Sequence, residues 1–294
     1  MKNNALAVVF ALIAVAMWST VATAFKLSLQ EMSVLQLLTG ASFFSLSVLS
    51  ITLFVRKELK HAITTLPSSF RSLLVLALLN PVLYYIVLLE AYDLLPAQVA
   101  QSLNYTWAIT LTLLSVPILG HKLTKSDVLA IILGYIGVVF IAFSGKSISG
   151  ELSLWGVFLA LFSTIIWASY WLLNARNNAP PITKLFQSFL LATPLLFIIL
   201  VASGSFSTHI TLKQLYGMAY VGVFEMGLAF ICWQMAMHYT NKVSQVGTLI
   251  FLSPFISLFI INKFLGEPLS LFTFIGLGLI VTGILFQQYA DHNA

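Results

Sequence analysis

From residue 5 to residue 25 the chain runs without a charged side chain, and Lys26 then ends the apolar stretch. The pattern recurs along the whole sequence. Apolar runs separated by short links of charge, proline and glycine predict spans at about 5–25, 33–55, 70–92, 96–118, 126–144, 152–174, 182–203, 214–238, 243–263 and 268–288. Each is long enough to cross a bilayer core, which takes about 20 residues of helix. The longest polar link, residues 56–69, carries Arg56, Lys57, Lys60 and His61, and Pro180-Pro181 marks a break between two halves. Lys2 followed by an apolar run and Ala22-Thr23-Ala24 resembles a cleaved leader. The run is nevertheless span-length, so it is read as the first span.

Composition agrees. Hydrophobic residues make up 60% of the 294 positions and charged residues 8%, against about 25% charged in a soluble domain. Fourteen Lys and Arg and nine Asp and Glu do not cover the surface of a soluble protein of this length. A soluble enzyme, a nucleic-acid binder and a disordered scaffold are excluded. The expected fold class is an all-α integral membrane protein of ten transmembrane helices. The net charge of +5 then reads as basic cytoplasmic loops. With the loops assigned alternately, one side receives Lys2, Arg56, Lys57, Lys60, Arg71, Lys122, Lys125, Arg176, Lys184 and Lys242, and the other Lys26, Lys146, Lys213 and Lys263. Ten against four places both termini in the cytoplasm, in the cytoplasmic (inner) membrane of a bacterium.

The second half echoes the first. A shift of 146 residues carries Leu119-Gly120 onto Leu265-Gly266, Leu123-Thr124 onto Leu269-Ser270, Gly137 onto Gly283, Gln98 onto Ser244 and Tyr105 onto Phe251. At a shift of 149, Trp18-Ser19 meets Trp167-Ala168. Two repeats are expected, residues 1–146 and 149–294. Five spans is an odd number, so the two must be inverted relative to each other. Inverted repeats build secondary transporters with two gates around one central site.

Leu95-Pro96-Ala97, Leu103-Asn104-Tyr105-Thr106-Trp107 and Leu119-Gly120-His121-Lys122-Leu123-Thr124 resemble the end of an EamA domain. A second copy reads Phe251-Leu252-Ser253-Pro254 and Leu265-Gly266-Glu267-Pro268-Leu269-Ser270. The chain as a whole resembles a two-domain EamA protein of the drug/metabolite transporter superfamily. It departs at His121, where the family usually has Glu, as at Glu267. The resemblance implies a ten-helix bundle that exposes a central cavity to each side in turn. It also implies a cargo among amino acids, choline, nucleobases, nucleotide sugars and drugs, in many members exported.

Glu225 is the sharpest chemical signal. It lies roughly 16 Å into the eighth span at about 1.5 Å per residue, near the midplane, where insertion scales charge roughly 2.5–3.5 kcal/mol for a central Asp. No Lys or Arg lies well inside a span to pair with it. It is expected to exchange a proton, the candidate coupling ion, or to hold a substrate ammonium. Glu90, with Asp93 after it, sits near a span end where water reaches both. Asn80-Pro81, in the same span as Tyr84, interrupts the third span at the place equivalent to Met226-Gly227, and paired interruptions point to a transporter site. Gln98, Gln101, Asn104, Tyr105 and Thr112 form a polar face on the fourth span, and Gln245, Thr248 and Ser253 form a weaker counterpart on the ninth. Trp18, Trp167, Tyr170 and Trp171 are expected to supply aromatic walls, which suit flat or cationic cargo.

The candidate substrate-binding set is therefore Trp18, Asn80, Tyr84, Gln101, Asn104, Tyr105, Trp167, Tyr170, Trp171 and Glu225, with Glu225 also in proton coupling. The sequence carries no phosphate loop, no His-Glu-x-x-His and no Cys/His cluster, so no cofactor, metal or catalysis is expected. The expected partners are the lipid bilayer and a small molecule, amino-acid-like and either zwitterionic or cationic. Two alternatives stand beside this reading: an anionic-metabolite exchanger of the same fold, which lacks the basic residues it needs, and a non-transport membrane subunit.

Overall fold

The computed structural model describes residues 2–67, 70–120, 122–149, 153–175, 179–241 and 246–292. Of the positions named above, His121, Arg176, Lys242, Ser244 and Gln245 lie outside them, as does the side chain of Lys146. Among the described residues ten helices are long and apolar enough to span a membrane: α1 (Asn4–Leu29), α2 (Val34–Val55), α3 (Phe70–Leu94), α4 (Ala97–Leu119), α5 (Lys125–Ser144), α6 (Leu154–Ala175), α7 (Pro181–Ala202), α8 (Leu212–Tyr239), α9 (Thr248–Leu265) and α10 (Leu271–Ala290). No strand occurs among the described residues. Helix is the consequence of the solvent, because a bilayer offers no partner for an unpaired backbone group.

Polarity is arranged for lipid rather than water. Phe54, Leu154 and Leu271 are more than 70% exposed on the outside of the bundle. Small and weakly polar side chains sit inside, among them Ala7, Ala11, Ser42, Ser45 and Ser257, all fully buried. Small residues let helix backbones approach where no hydrophobic force pushes them together. The helix ends are capped as in soluble proteins. Ser33 with Gln36 and Thr211 with Gln214 form capping boxes. Gly120 and Gly266 end α4 and α9 in the left-handed region, φ 72° and 68°, a conformation that glycine adopts without penalty. These two glycines are equivalent under the 146-residue shift.

The packing follows the same shift. α1 lies against α8 and α9, and α6 lies against α3 and α4; α2 packs on α8, and α7 packs on α3. The remaining major pairs, α2 with α7 and α5 with α10, join equivalent helices. In the α5–α10 pair a Cβ on Gly137 would press on the Gly276 backbone, and one on Gly283 would meet Ala130. The shift exchanges these two crossings. Ser144 and Thr273 add a hydroxyl pair at 2.5 Å between the same two helices.

α3 and α8 are interrupted at equivalent places. Leu78–Leu83 and Val221–Leu228 are wide π-type turns. In the first, Asn80 is extended (φ −143°, ψ 118°) and its bond to Pro81 is cis. In the second, Gly222 lies against the Ala41 carbonyl and Phe44, and the Ser45 hydroxyl donates to the Met226 carbonyl at 3.0 Å. A neighbouring helix thus satisfies a carbonyl that the wide turn releases, the condition for irregular backbone at membrane depth.

Candidate functional site

The two interrupted helices flank a cavity of about 900 Å³, within the usual range for a small-molecule site. α1 contributes Trp18, α3 contributes Tyr84 and Tyr85, and α4 contributes Gln101, Asn104 and Tyr105. α6 adds Trp167 and Trp171, and α8 adds Glu225, Phe230 and Trp233. Eight of the ten residues expected from the sequence therefore line one space. Asn80 and Tyr170 do not. Asn80 is 1% exposed within the α3 interruption. Tyr170 packs behind the wall, its ring 5.5 Å from Trp167 and 6.0 Å from Trp171.

The aromatic side chains form two clusters. Tyr84 stacks on Trp167, centroids 4.4 Å apart and planes 27° from parallel. Trp18 meets Phe230 edge-on at 5.6 Å and Trp233 at 5.5 Å. Phe230 also lies 6.2 Å from Trp167 and joins the clusters.

Glu225 is buried in this setting, 8% exposed. The Tyr85 hydroxyl donates to its Oε1 at 3.2 Å, and its Oε2 has no partner among the described residues. The wide turn of α8 presents Glu225 at the level where α3 is also broken. Beside it, the Tyr84 hydroxyl donates to Asn104 Oδ1 at 3.2 Å, and Asn104 Nδ2 donates to the Ser163 hydroxyl at 2.9 Å. The phenols of Tyr84, Tyr85 and Tyr105 line the same cavity as Glu225, with Tyr92 at one end.

The cavity has two unlike ends. Toward one its lining residues are the buried Phe25 and Tyr92. Beyond them the links are tied together: the Lys26 ammonium donates to the Asp93 carbonyl at 3.2 Å, and Glu267 takes the backbone N–H of Ala97 and of Gln98. Toward the other end its last lining residues are Ala175, Gly247 and Gln288, with Ala175 exposed. That end also holds the N-terminal segment, where Lys2 donates to the carbonyls of His238 and Thr240 at 2.8 Å.

The polar face read on the fourth span divides between these regions. Gln101, Asn104 and Tyr105 line the cavity. Gln98 instead donates to the Pro268 carbonyl at 2.9 Å and accepts from Thr273 at 3.2 Å, and Thr112 accepts from Gln287 at 2.9 Å. On α9, Ser253 is fully buried. Glu90 is exposed, as its place near a span end implies. Tyr85, Phe230 and Trp233 escape a sequence reading. Each is one more aromatic in an apolar run, although Phe230 and Trp233 stand one helical turn apart on the helix that carries Glu225.

The EamA-like transporter family matches this sequence twice, over residues 5–143 and 154–287. The uncharacterized transporter YvbV of Bacillus subtilis (strain 168) is 29% identical over 214 residues, 72% of this chain and 69% of its own. An uncharacterized transporter in the sor 3' region of Acidianus ambivalens is 28% identical over 67% of this chain and 77% of its own. One from Archaeoglobus fulgidus is 25% identical over 92% and 94%. A solved crystal structure covers 99% of both chains with a TM-score of 0.68 at 19% identity, a likeness of fold.

Proposed function

Because the chain belongs to the EamA-like transporter family, we propose that it is a secondary active transporter that exports a small organic metabolite, zwitterionic or cationic, by alternating access. The observation that carries this reading is Glu225, a buried carboxyl with one free oxygen, in the wall of an aromatic cavity that reaches one end of the bundle. A group so placed serves ion or substrate movement more readily than packing. The paired interruptions of α3 and α8 support a central site at the repeat interface.

The paired packing of helices and the exchange of the two α5–α10 crossings support two units, residues 1–146 and 149–294, related by a two-fold axis. An axis in the membrane plane inverts one unit against the other. The ten-to-four distribution of Lys and Arg supports cytoplasmic termini in a bacterial inner membrane. The cavity then faces the cytoplasm, the side from which an exporter loads.

In this reading a proton and a cationic cargo compete for the Glu225 carboxyl. Cargo entering from the cytoplasm displaces the proton, and a proton arriving from outside displaces the cargo, which couples export to proton entry. Among the described residues that line the cavity, Glu225 is the only carboxyl, and no Lys, Arg or His stands beside it. Purified protein in liposomes tests transport against the subunit alternative. Flux of a radiolabelled amine or amino-acid mixture above protein-free vesicles is the expected result. No flux, with folded protein in the membrane, would contradict it.

A further inference from the structure

Resting on the transporter reading, we infer that the cavity selects a monovalent organic amine with a flat apolar body and rejects the amino acid that carries the same side chain. The reason lies in which hydrogen-bonding groups remain available around Glu225. The Tyr85 hydroxyl is used on Glu225 itself, the Tyr84 hydroxyl on Asn104, and the Asn104 amide on Ser163. Each of these three groups thus already donates to a protein acceptor. An ammonium brings donors and needs acceptors. It finds the Glu225 carboxylate and the faces of aromatic rings, which attract cations.

A carboxylate has the opposite need. No Lys, Arg or His occurs among the described residues that line the cavity, so an amino acid would leave its carboxylate unpaired. The other donors in the lining are neutral: the amides of Gln101 and Gln288 and the indole N–H of Trp171, which has no partner among the described residues. Neutral donors without a cationic partner do not replace the hydration of an anion. The second charge of a zwitterion thus counts against it, and discrimination follows from the missing partner rather than from shape. The cargo's flat body is set by the Tyr84–Trp167 stack and the Trp18–Phe230–Trp233 cluster, which offer ring faces and edges at van der Waals spacing.

The test uses purified full-length protein and two matched pairs of probes: tryptamine against tryptophan, and phenethylamine against phenylalanine. Binding is read by tryptophan fluorescence and by calorimetry. Each amine is expected to bind at least about tenfold more tightly than its amino acid, about 1.4 kcal/mol. Glu225→Gln is expected to erase that preference. Glu225→Asp, with folding checked by circular dichroism and size exclusion, should keep part of it. Equal or tighter binding of the amino acids would overturn the proposed selectivity while leaving transport intact. Absence of amine binding at millimolar concentration would overturn it as well. Binding with the expected preference but no flux in liposomes would uphold the selectivity and refute transport.

Discussion

Glu267, in the link before α10, accepts the backbone N–H of Ala97 at 2.6 Å. Its second oxygen takes the N–H of Gln98 at 3.2 Å. A carboxylate from one half of the chain therefore caps the first turn of α4 in the other half, where four backbone donors otherwise lack partners and the helix dipole favours negative charge. The contact lies beyond Phe25 and Tyr92, which line that end of the cavity.

Glu267→Ala removes this tie and is expected to loosen that end. Charge-assisted hydrogen bonds of this kind contribute roughly 1.5–3 kcal/mol. In a Cys232→Ser background, a cysteine at Leu88, a buried cavity residue, should react faster with a membrane-impermeant thiol reagent added on the Glu267 side. Unchanged reactivity would mean that the Glu267 tie does not limit access from that end.

The α5–α10 crossing makes a sharper stability prediction. Gly137→Ala and Gly276→Ala each push a methyl group onto the facing backbone and should lower thermal stability by about 1–3 kcal/mol. Gly278→Ala, on the same helix but with open space at its Cβ, should be close to neutral. Similar losses at all three positions would point to helix propensity or lipid effects instead of the close approach.

The aromatic wall separates from the lipid-facing aromatics in the same way. Trp167→Ala removes the stack on Tyr84 and is expected to weaken amine binding about tenfold, near the upper end of the cation–π range. Trp155→Ala, on the same helix but 61% exposed on its outer surface, should leave binding unchanged. Equal effects would place the cargo elsewhere.

Orientation is open to a direct check. Reporter fusions at Lys60 should report the cytoplasm, and fusions at Lys213 the exterior, because the two lie on opposite sides of the charge count. The reverse pattern would turn the cavity mouth outward and make the loading side extracellular.

Much of this architecture is legible in the sequence because a bilayer reduces the problem to length and polarity. The helices begin and end within a few residues of the apolar runs, and the 146-residue shift anticipates the shared left-handed caps at Gly120 and Gly266. What stays hidden is contact between halves. Gln98 belongs by spacing to the same stripe as Gln101 and Asn104, yet it sits in the first turn of α4, where Glu267 and Pro268 take its hydrogen bonds. Tyr85 follows Tyr84 in an apolar run, and nothing local marks it as the partner of a carboxyl 140 positions away. Asn80 is legible as a break in α3, but the same break turns its side chain into the protein instead of the cavity. Glu267 is visible as part of a repeated Leu-Gly motif, whereas its role as a cap on α4 requires the packing of α4 against the start of α10.

Proton coupling through Glu225 is tested by transport with and without a pH gradient. Wild-type protein and Glu225→Gln, a neutral isostere that keeps an acceptor for Tyr85, are placed in liposomes with an imposed pH gradient. Uphill movement of tryptamine is then followed against exchange at equal concentrations. The variant is expected to fold and to lose gradient-driven accumulation, because no proton can leave the amide. Accumulation by Glu225→Gln equal to wild type, with the same dependence on the pH gradient, would contradict it.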